Sequence, residues 1–385
     1  MDKIFDVLII GAGPGGSKAA LECIKRGLSV ILLDSKKKPG IPVHCGECIS
    51  EYAFLNTSVK APDHTISKKV RGVRVTFPGN KTTILKESGF VLNKDKFESW
   101  LLEEAINNDV HVALENKVDG LKRMNGIWQI SSGKNRYRSK IVIDASGVNS
   151  VSNKILKINK PFSYTTGLQY EVKVAKESDI IDFYLWPEYA ENGYLWVIPK
   201  AESHFNIGLI STTPKNLEED LNRFINKTGL NGKVVKKSAG RIPASGPFVN
   251  TFSEGLIMIG DAAGFTNPLF EGGTHLALKS ACFAAKTAYS VLREGAYVGN
   301  YENFWKNNFP PYDKILKGKK KLYSLSGKEM ERLGAYLPVD VTNHNIIDKI
   351  VTGLKMVIKD PVLIKKGAVD IMRAFENSKS VHYGW

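Results

Sequence analysis

The sequence predicts an α/β fold: a Rossmann-like dinucleotide-binding domain, a β-rich second domain and a helical C-terminal region. Three observations carry this reading. Residues 6–34 run strand, glycine loop, helix, strand, acid; residues 255–264 repeat the strand-to-glycine theme; and between them an aromatic, alternating stretch fills residues 161–247.

The first segment is the most specific. Residues 7–10 are a hydrophobic strand, Gly11-Ala12-Gly13-Pro14-Gly15-Gly16 is a loop, a helix follows, and Val30–Leu33 is a second strand closed by Asp34. Gly11 permits the tight turn, Gly13 lets the backbone approach a pyrophosphate, and Gly16 lets the helix pack close to the strand. Free N–H groups at the helix N-terminus then face the phosphates. Asp34, about 20 residues beyond the loop, is placed to accept both hydroxyls of an adenosine ribose. A dinucleotide is the expected ligand.

Further along, Pro39-Gly40-Ile41-Pro42-Val43-His44-Cys45-Gly46 is a loop by its turn residues. Residues 70–77 alternate Val and Phe with polar partners, the period of a strand. Lys94–Asn107 carries Phe97, Leu101, Leu102, Ala105 and Ile106 at helical spacing. Residues 111–115 and 128–140 predict strands and a hairpin, and 141–144 a buried strand running into Ala145-Ser146-Gly147. After the β-rich stretch, Gly255 to Gly264 leads into a helix from about Gly273, and from Tyr301 the tail is mostly helical with a break at Pro310-Pro311. The expected division is a discontinuous nucleotide-binding domain (1–70, 90–160 and 250–295), a β-rich substrate domain (70–90 and 161–249) and a helical region (296–385).

A chain of 385 residues is too long for one small core, and 43% hydrophobic with 24% charged residues is an ordinary balance for a folded soluble protein. No apolar run approaches the roughly 20 residues that span a bilayer. The first strand begins within a few residues of Met1, leaving no room for a signal peptide, so a cytoplasmic location is expected. The net charge of +15 calls for an anionic partner. The basic residues are spread out and no nucleic-acid motif accompanies them, so a membrane surface or a phosphate-bearing substrate is expected rather than nucleic acid. The densest basic patch, Lys317-Gly318-Lys319-Lys320-Lys321, reads as a solvated helix face. Four cysteines make no disulfide framework. Cys23 and Cys282 fall in helices as packing residues, whereas Cys45-Gly46-Glu47-Cys48 is a loop. It lacks a second ligand pair at zinc spacing, so no metal is expected.

Nicotinamide and flavin dinucleotides share the first fingerprint; Asp261 separates them. Residues 257–261 with Pro268 and Gly272-Gly273 resemble the glycine–aspartate motif of glutathione-reductase-type FAD proteins, in their hydroxylase-like branch, and Asp144-Ala145-Ser146-Gly147 resembles that branch's element near the phosphates. An acid at a strand end can hold a ribityl hydroxyl, and glycine N–H groups opening a helix can stabilise the charge of reduced flavin. FAD is the expected cofactor. The resemblance then narrows. Gly40-Ile41-Pro42-Val43-His44-Cys45-Gly46-Glu47 is similar to the PxxCGE element of the archaeal geranylgeranyl reductases. Val91-Leu92-Asn93-Lys94-Asp95-Lys96-Phe97 matches a family segment that carries arginine at the place of Lys94. Gly193-Tyr194-Leu195-Trp196-Val197-Ile198-Pro199 is similar to the family's YxWxFP substrate motif, with Ile198 in place of phenylalanine.

That resemblance covers residues 1 to about 295 and implies a set of site residues. FAD would be held by the first glycines, Asp34, Cys45, Gly46, Cys48, Lys94, Asp261, Gly272, Gly273 and Thr274, with Val118 against the adenine through its backbone. Tyr194, Trp196 and Pro199 would meet the substrate, and the proton would come from Cys45, Glu47 or reduced flavin itself through water. Cys48 and Glu271 depart from the pattern by standing where the family has glycines, and a Glu271 carboxylate beside the flavin pyrimidine would oppose negative charge there unless it points away or is protonated. The implied activity is reduction of isolated double bonds in a prenyl chain on an archaeal-type phospholipid precursor, at the membrane periphery. NAD(P)H or a ferredoxin would be the electron donor, because no second nucleotide fingerprint follows residue 60. A flavin-dependent monooxygenase or halogenase is the alternative, since Tyr194 to Pro199 also resembles a WxWxIP motif. A thiol or electron-transfer flavoprotein using Cys45 and Cys48 is a third reading.

Overall fold

The computed structural model describes residues 3–213, 215–343 and 345–379. Strand Ile4–Ile10 is flanked by Val30–Leu33 and Asn135–Asp144, both parallel to it. His111–Ala113 extends the sheet on one side and Leu256–Met258 on the other, again parallel. Parallel strands are covered on both faces and so read as unbroken apolar runs, as these do. Helices Pro14–Ile24, Lys94–Asn107 and Thr274–Glu294 pack together beside this sheet. Gly120–Met124 and Ile127–Ser132 form an antiparallel meander that joins Asn135–Asp144. One consequence matters most for function. The chain leaves the C-terminal ends of four parallel strands at one edge, delivering Gly11, Asp34, Ala145 and Asp261 there, where open α/β sheets take their ligands.

A second eight-stranded sheet runs Lys233–Pro243, Tyr164–Lys173, His204–Ser211, Gly193–Pro199, Ile180–Tyr184, Ile66–Phe77, Lys81–Leu92, Cys48–Ser50. All its neighbours are antiparallel except Ile180–Tyr184 against Ile66–Phe77. The strand expected at 70–77 begins earlier and is the first arm of a long hairpin. Its second arm, KTTILKESGFVL, has no clean alternation to announce it. The stretch 161–247 is not all strand. Leu217–Thr228 is a helix buried through Leu221, Phe224 and Ile225, opened by Glu218, Glu219 and Asp220 and ended by Gly229 in the left-handed region.

After Glu294 the chain is helical: Asn300–Asn308, Tyr312–Tyr323, Gly327–Tyr336, Ile346–Lys359, Pro361–Lys365 and Ala368–Asn377. Capping boxes at Ser326 with Glu329 and at Asn345 with Asp348 fix two of these starts. Ile315, Leu322, Leu333, Met356 and Ile371 pack these helices onto the aromatic face of the second sheet. The Lys317–Lys321 cluster is the expected solvated face only in part: Lys317 and Lys320 are exposed. Lys319 turns inward and is buried, because the face of Tyr312–Tyr323 that carries Ile315 and Leu322 also carries position 319.

Candidate active site

One cavity of about 800 Å³ lies between the sheet edge, the aromatic strand and the C-terminal helices. Gly13 and Gly15 line it at one place, Gly272, Gly273 and Thr274 at another. The helices that start there, Pro14–Ile24 and Thr274–Glu294, have no side-chain cap. Their first-turn N–H groups are therefore left for a ligand, with the positive helix ends behind them. A Cβ on Gly13 would meet nothing within 4 Å, so the glycine keeps open a space at the cavity wall. Gly11 and Gly16 shape the loop: a Cβ would come 2.5 Å from the Ala145 carbonyl oxygen at Gly11 (φ +102°) and 1.8 Å from that of Gly11 at Gly16. This donor set and cradle fit the phosphates of a dinucleotide.

Asp34 has a structural task first. Its Oδ2 accepts from Ala12 N at 2.7 Å and its Oδ1 from Lys36 N at 2.7 Å, bracing the glycine loop, and a ribose would use the lone pairs left over. Val118 lies between strands His111–Ala113 and Gly120–Met124 with its side chain in the sheet core, so only its backbone is available to an adenine. Asp144 caps the segment after its own strand, accepting from Ser146 N and from Ser152. Asp261 follows strand Leu256–Met258 into the cavity wall, where burial pushes its carboxyl up to about 6 against the pull of Lys94. Lys94 opens helix Lys94–Asn107 and donates from Nζ to Thr274 Oγ1 at 2.9 Å. Burial alone would lower its ammonium, but Cys45, Glu98, Asp261 and Glu47 outweigh that and the net direction is upward.

The Cys45–Cys48 loop is held from both sides. Glu47 sits in the left-handed region (φ +71°) with its carboxylate buried. Oε1 accepts from Lys94 N at 3.1 Å, and Oε2 accepts from Lys200 Nζ at 2.6 Å and Asn206 Nδ2 at 2.7 Å. A carboxylate so occupied is a brace, which corrects the expectation that Glu47 could itself hand over a proton. Cys45 stays a candidate beside a water-mediated transfer from the flavin. Its Sγ accepts from Glu47 N at 3.2 Å and it lines the cavity. Gln169 ties this loop to the aromatic strand, donating to Cys45 O at 3.1 Å and accepting from Trp196 Nε1 at 2.9 Å. Burial, then Cys45 and Glu47, push the Cys48 thiol well above its ordinary value, which disfavours Cys48 as the attacking thiolate of a disulfide exchange.

Along strand Gly193–Pro199, Tyr194, Trp196 and Ile198 share one face and line the cavity. Pro199 is of the opposite parity, on the side of Leu195 and Val197, and lies outside the cavity wall. The expectation that it meets substrate fails on the period of two. Two rings that the sequence reading missed complete the wall: Phe183 stacks on Phe270 at 4.7 Å, and Tyr194 meets them edge-on at 5.5 and 5.3 Å. Tyr194 Oη donates to Phe270 O at 2.6 Å. Phe270 carries no signal in sequence beyond its place before Glu271. Glu271 (φ +51°) occupies a backbone conformation that favours glycine, and Lys319 neutralises its carboxylate. Leu333, Leu337, Val341 and Phe375 extend the apolar lining outward. Among the described residues no group of three or more His, Cys, Asp or Glu is arranged to hold a metal.

The family model described as lycopene cyclase protein matches residues 6–314. A digeranylgeranylglycerophospholipid reductase from Methanosarcina acetivorans is 32% identical over 316 residues, 77% of this chain and 77% of its own. The chain belongs to the digeranylgeranylglycerophospholipid reductases. A solved geranylgeranyl bacteriochlorophyll reductase-like protein from Thermoplasma acidophilum superposes with a TM-score of 0.85 at 27% identity, covering 95% of this reductase-family chain and 99% of its own. The flavoprotein fold extends further still. A halogenase solved in complex with FAD has a TM-score of 0.71 at 15% identity, covering 87% of this chain and 79% of its own. At that identity the halogenase shares the fold alone. Among the described residues no helix is long and apolar enough to cross a membrane.

Proposed function

We propose that this chain binds FAD and saturates isolated carbon–carbon double bonds of geranylgeranyl chains on a membrane (phospho)lipid precursor. The observation that carries this is the continuity of one cavity. It reaches from two uncapped helix N-termini and Asp261, past Phe183, Tyr194, Trp196 and Phe270, to apolar side chains of the C-terminal helices. FAD fits the polar end: Gly13 and the helix after it suit the pyrophosphate, Asp261 a ribityl hydroxyl, and Gly272, Gly273 and Thr274 the pyrimidine edge. Once bound and reduced, FAD supplies a hydride.

An unactivated alkene needs close placement and a dry site. The aromatic wall provides both, because Trp196 is fixed to Gln169, and Tyr194 to the Phe270 carbonyl. The alkene also needs a proton, and we assign it to Cys45 Sγ, held in position by Glu47 N–H. We read NAD(P)H or a ferredoxin as docking transiently to deliver electrons. The relatives' names and the apolar lining both support this reading over an oxygenase or halogenase. Anaerobic incubation of the dithionite-reduced protein with geranylgeranyl lipids tests it. Mass spectrometry should show two added hydrogens per saturated bond, and the denatured protein should release FAD rather than FMN. An FAD-loaded protein that leaves the lipid unchanged, or that oxygenates or halogenates a substrate in air, would overturn it.

A further inference from the structure

Helix Ile346–Lys359 is apolar on the side that faces outward. Thr352 and Met356 turn in, while Ile350, Val351, Leu354, Val357 and Ile358 are exposed, Leu354 at 55% and Ile358 at 78%. Their spacing (i, i+1, i+4, i+7, i+8) makes one stripe along the helix, the opposite of the ordinary rule that the apolar stripe faces the core. Val362 and Val369 continue the patch onto the next two helices, each also exposed. A contiguous apolar surface of this kind marks an interaction site rather than scatter.

Two further observations say what covers it. The charge is basic: residues 345–379 hold seven Lys and Arg against four Asp and Glu, and Lys355, Lys359 and Lys365 are exposed beside the stripe. The patch is also continuous with the cavity, since Ile350, Gly353, Val369 and Arg373 line it from this side, and Ile350 and Val369 are at once lining and exposed. The rim of the cavity therefore lies on the apolar face itself.

We propose that this face seats on an anionic lipid leaflet, with helix Ile346–Lys359 lying in the interface. The gap between it and helix Ala368–Asn377 is then the door through which a lipid tail passes into the cavity without crossing water. Helices of this type bury their apolar face about 5–10 Å into the head-group boundary. Arg373, exposed at the rim, is placed for the lipid phosphate. The door rests on the lipid reading given above; the seating on the leaflet does not.

Sedimentation with phosphatidylglycerol and phosphatidylcholine vesicles tests the proposal on the flavin-loaded full chain. The protein should pellet with the anionic vesicles and be released by salt. Leu354→Glu with Ile358→Glu should weaken partitioning at least about tenfold, with flavin absorbance and melting temperature unchanged. Lys355→Gln or Lys359→Gln should each weaken it about fivefold at low salt, the equivalent of about 1 kcal/mol per lysine. The double glutamate variant should reduce a short, detergent-dispersed prenyl substrate normally yet fail on the same chain in vesicles. Equal pelleting of variant and wild type would overturn the proposal. So would a dimer of this chain, broken by the double variant, in a protein that ignores vesicles. Charge-selective binding without any alkene reduction would instead retain the leaflet seat and sink the proposed reaction.

Discussion

Glu271 and Lys319 form an ion pair with side chains only 1% and 7% exposed, joining the second glycine segment to helix Tyr312–Tyr323. The pair settles two points at once. It shows why one lysine of a basic cluster leaves the solvent, and how a carboxylate is tolerated where its charge would oppose an electron-rich ligand. Burial pushes Glu271 above the ordinary carboxylate range, and Lys319 pulls it back.

Lys319→Met should strip that balance. Breaking one side of a buried pair costs about 3–5 kcal/mol, and Glu271 would rise further. An acid raised in the folded state keeps its proton where the unfolded chain has lost it. Unfolding is therefore favoured as pH climbs above about 4.3. The variant should approach wild type at acidic pH and fall furthest behind at neutral pH, read by thermal unfolding of both proteins across that range. Adding Glu271→Gln should recover most of the loss, because the stranded charge is gone.

Asp261 gives a related signature with a functional arm. Its carboxyl is raised from 3.8 to about 6 by burial, so its charge costs the cofactor-free fold stability as pH rises between those values, and the cost stays level above. Asp261→Asn should therefore melt higher than wild type in the apoprotein above pH 6, with the two converging near pH 4. The same change should weaken flavin retention, and Asp261→Ala more so, by about 1–3 kcal/mol for the lost acceptor. Fluorescence of released flavin after dilution reads this directly. A variant that melts higher yet holds FAD as tightly would remove Asp261 from the cofactor site.

Thiol chemistry should separate the loop cysteines. Cys48 is pushed well above its ordinary value and Cys23 up to about 12, both by burial. An alkylating reagent at mildly alkaline pH should label Cys45 first and leave Cys48 and Cys23 untouched in the folded protein, as peptide mapping would show. Cys45→Ser should slow alkene reduction while flavin reduction is retained. Cys48→Ser should change neither. Fast labelling of Cys48 would revive the thiol–disulfide reading.

What the sequence made legible follows the range of the forces involved. The glycine loop, helix Lys94–Asn107 and the Gly260–Asp261 strand end are set by neighbours within a few residues, through turn geometry and apolar period, and they lie where expected. The phase of Tyr194 and Trp196 was also readable, and the same phase excluded Pro199 once applied to it. Pairings across long separations were not readable. Lys319 meets Glu271 at 48 residues' distance and Lys200 meets Glu47 at 153, and nothing local to either lysine marks it as buried. The outer cavity wall was hidden for a further reason: the C-terminal helices look like ordinary amphipathic segments until the second sheet fixes which stripe turns inward.

Trp196 offers the sharpest test of the aromatic wall, because Gly208 is its floor. A Cβ on Gly208 would come 2.3 Å from the indole and 2.6 Å from the Leu168 carbonyl oxygen, so only glycine leaves the ring its place. Gly208→Ala should tilt the indole without removing it, and Trp196→Ala should remove it. If Trp196 holds the alkene rather than the cofactor, both should slow alkene reduction by roughly 10- to 100-fold through lost positioning. Reduction of the bound flavin by dithionite should keep its wild-type rate. Trp196→Phe should fall between, since it keeps an apolar ring but loses the bond to Gln169. Stopped-flow absorbance separates the two half-reactions, and melting curves report whether the fold has changed. An equal fall in both half-reactions, tracking the loss of stability across the three variants, would make Trp196 a core residue and not a substrate wall.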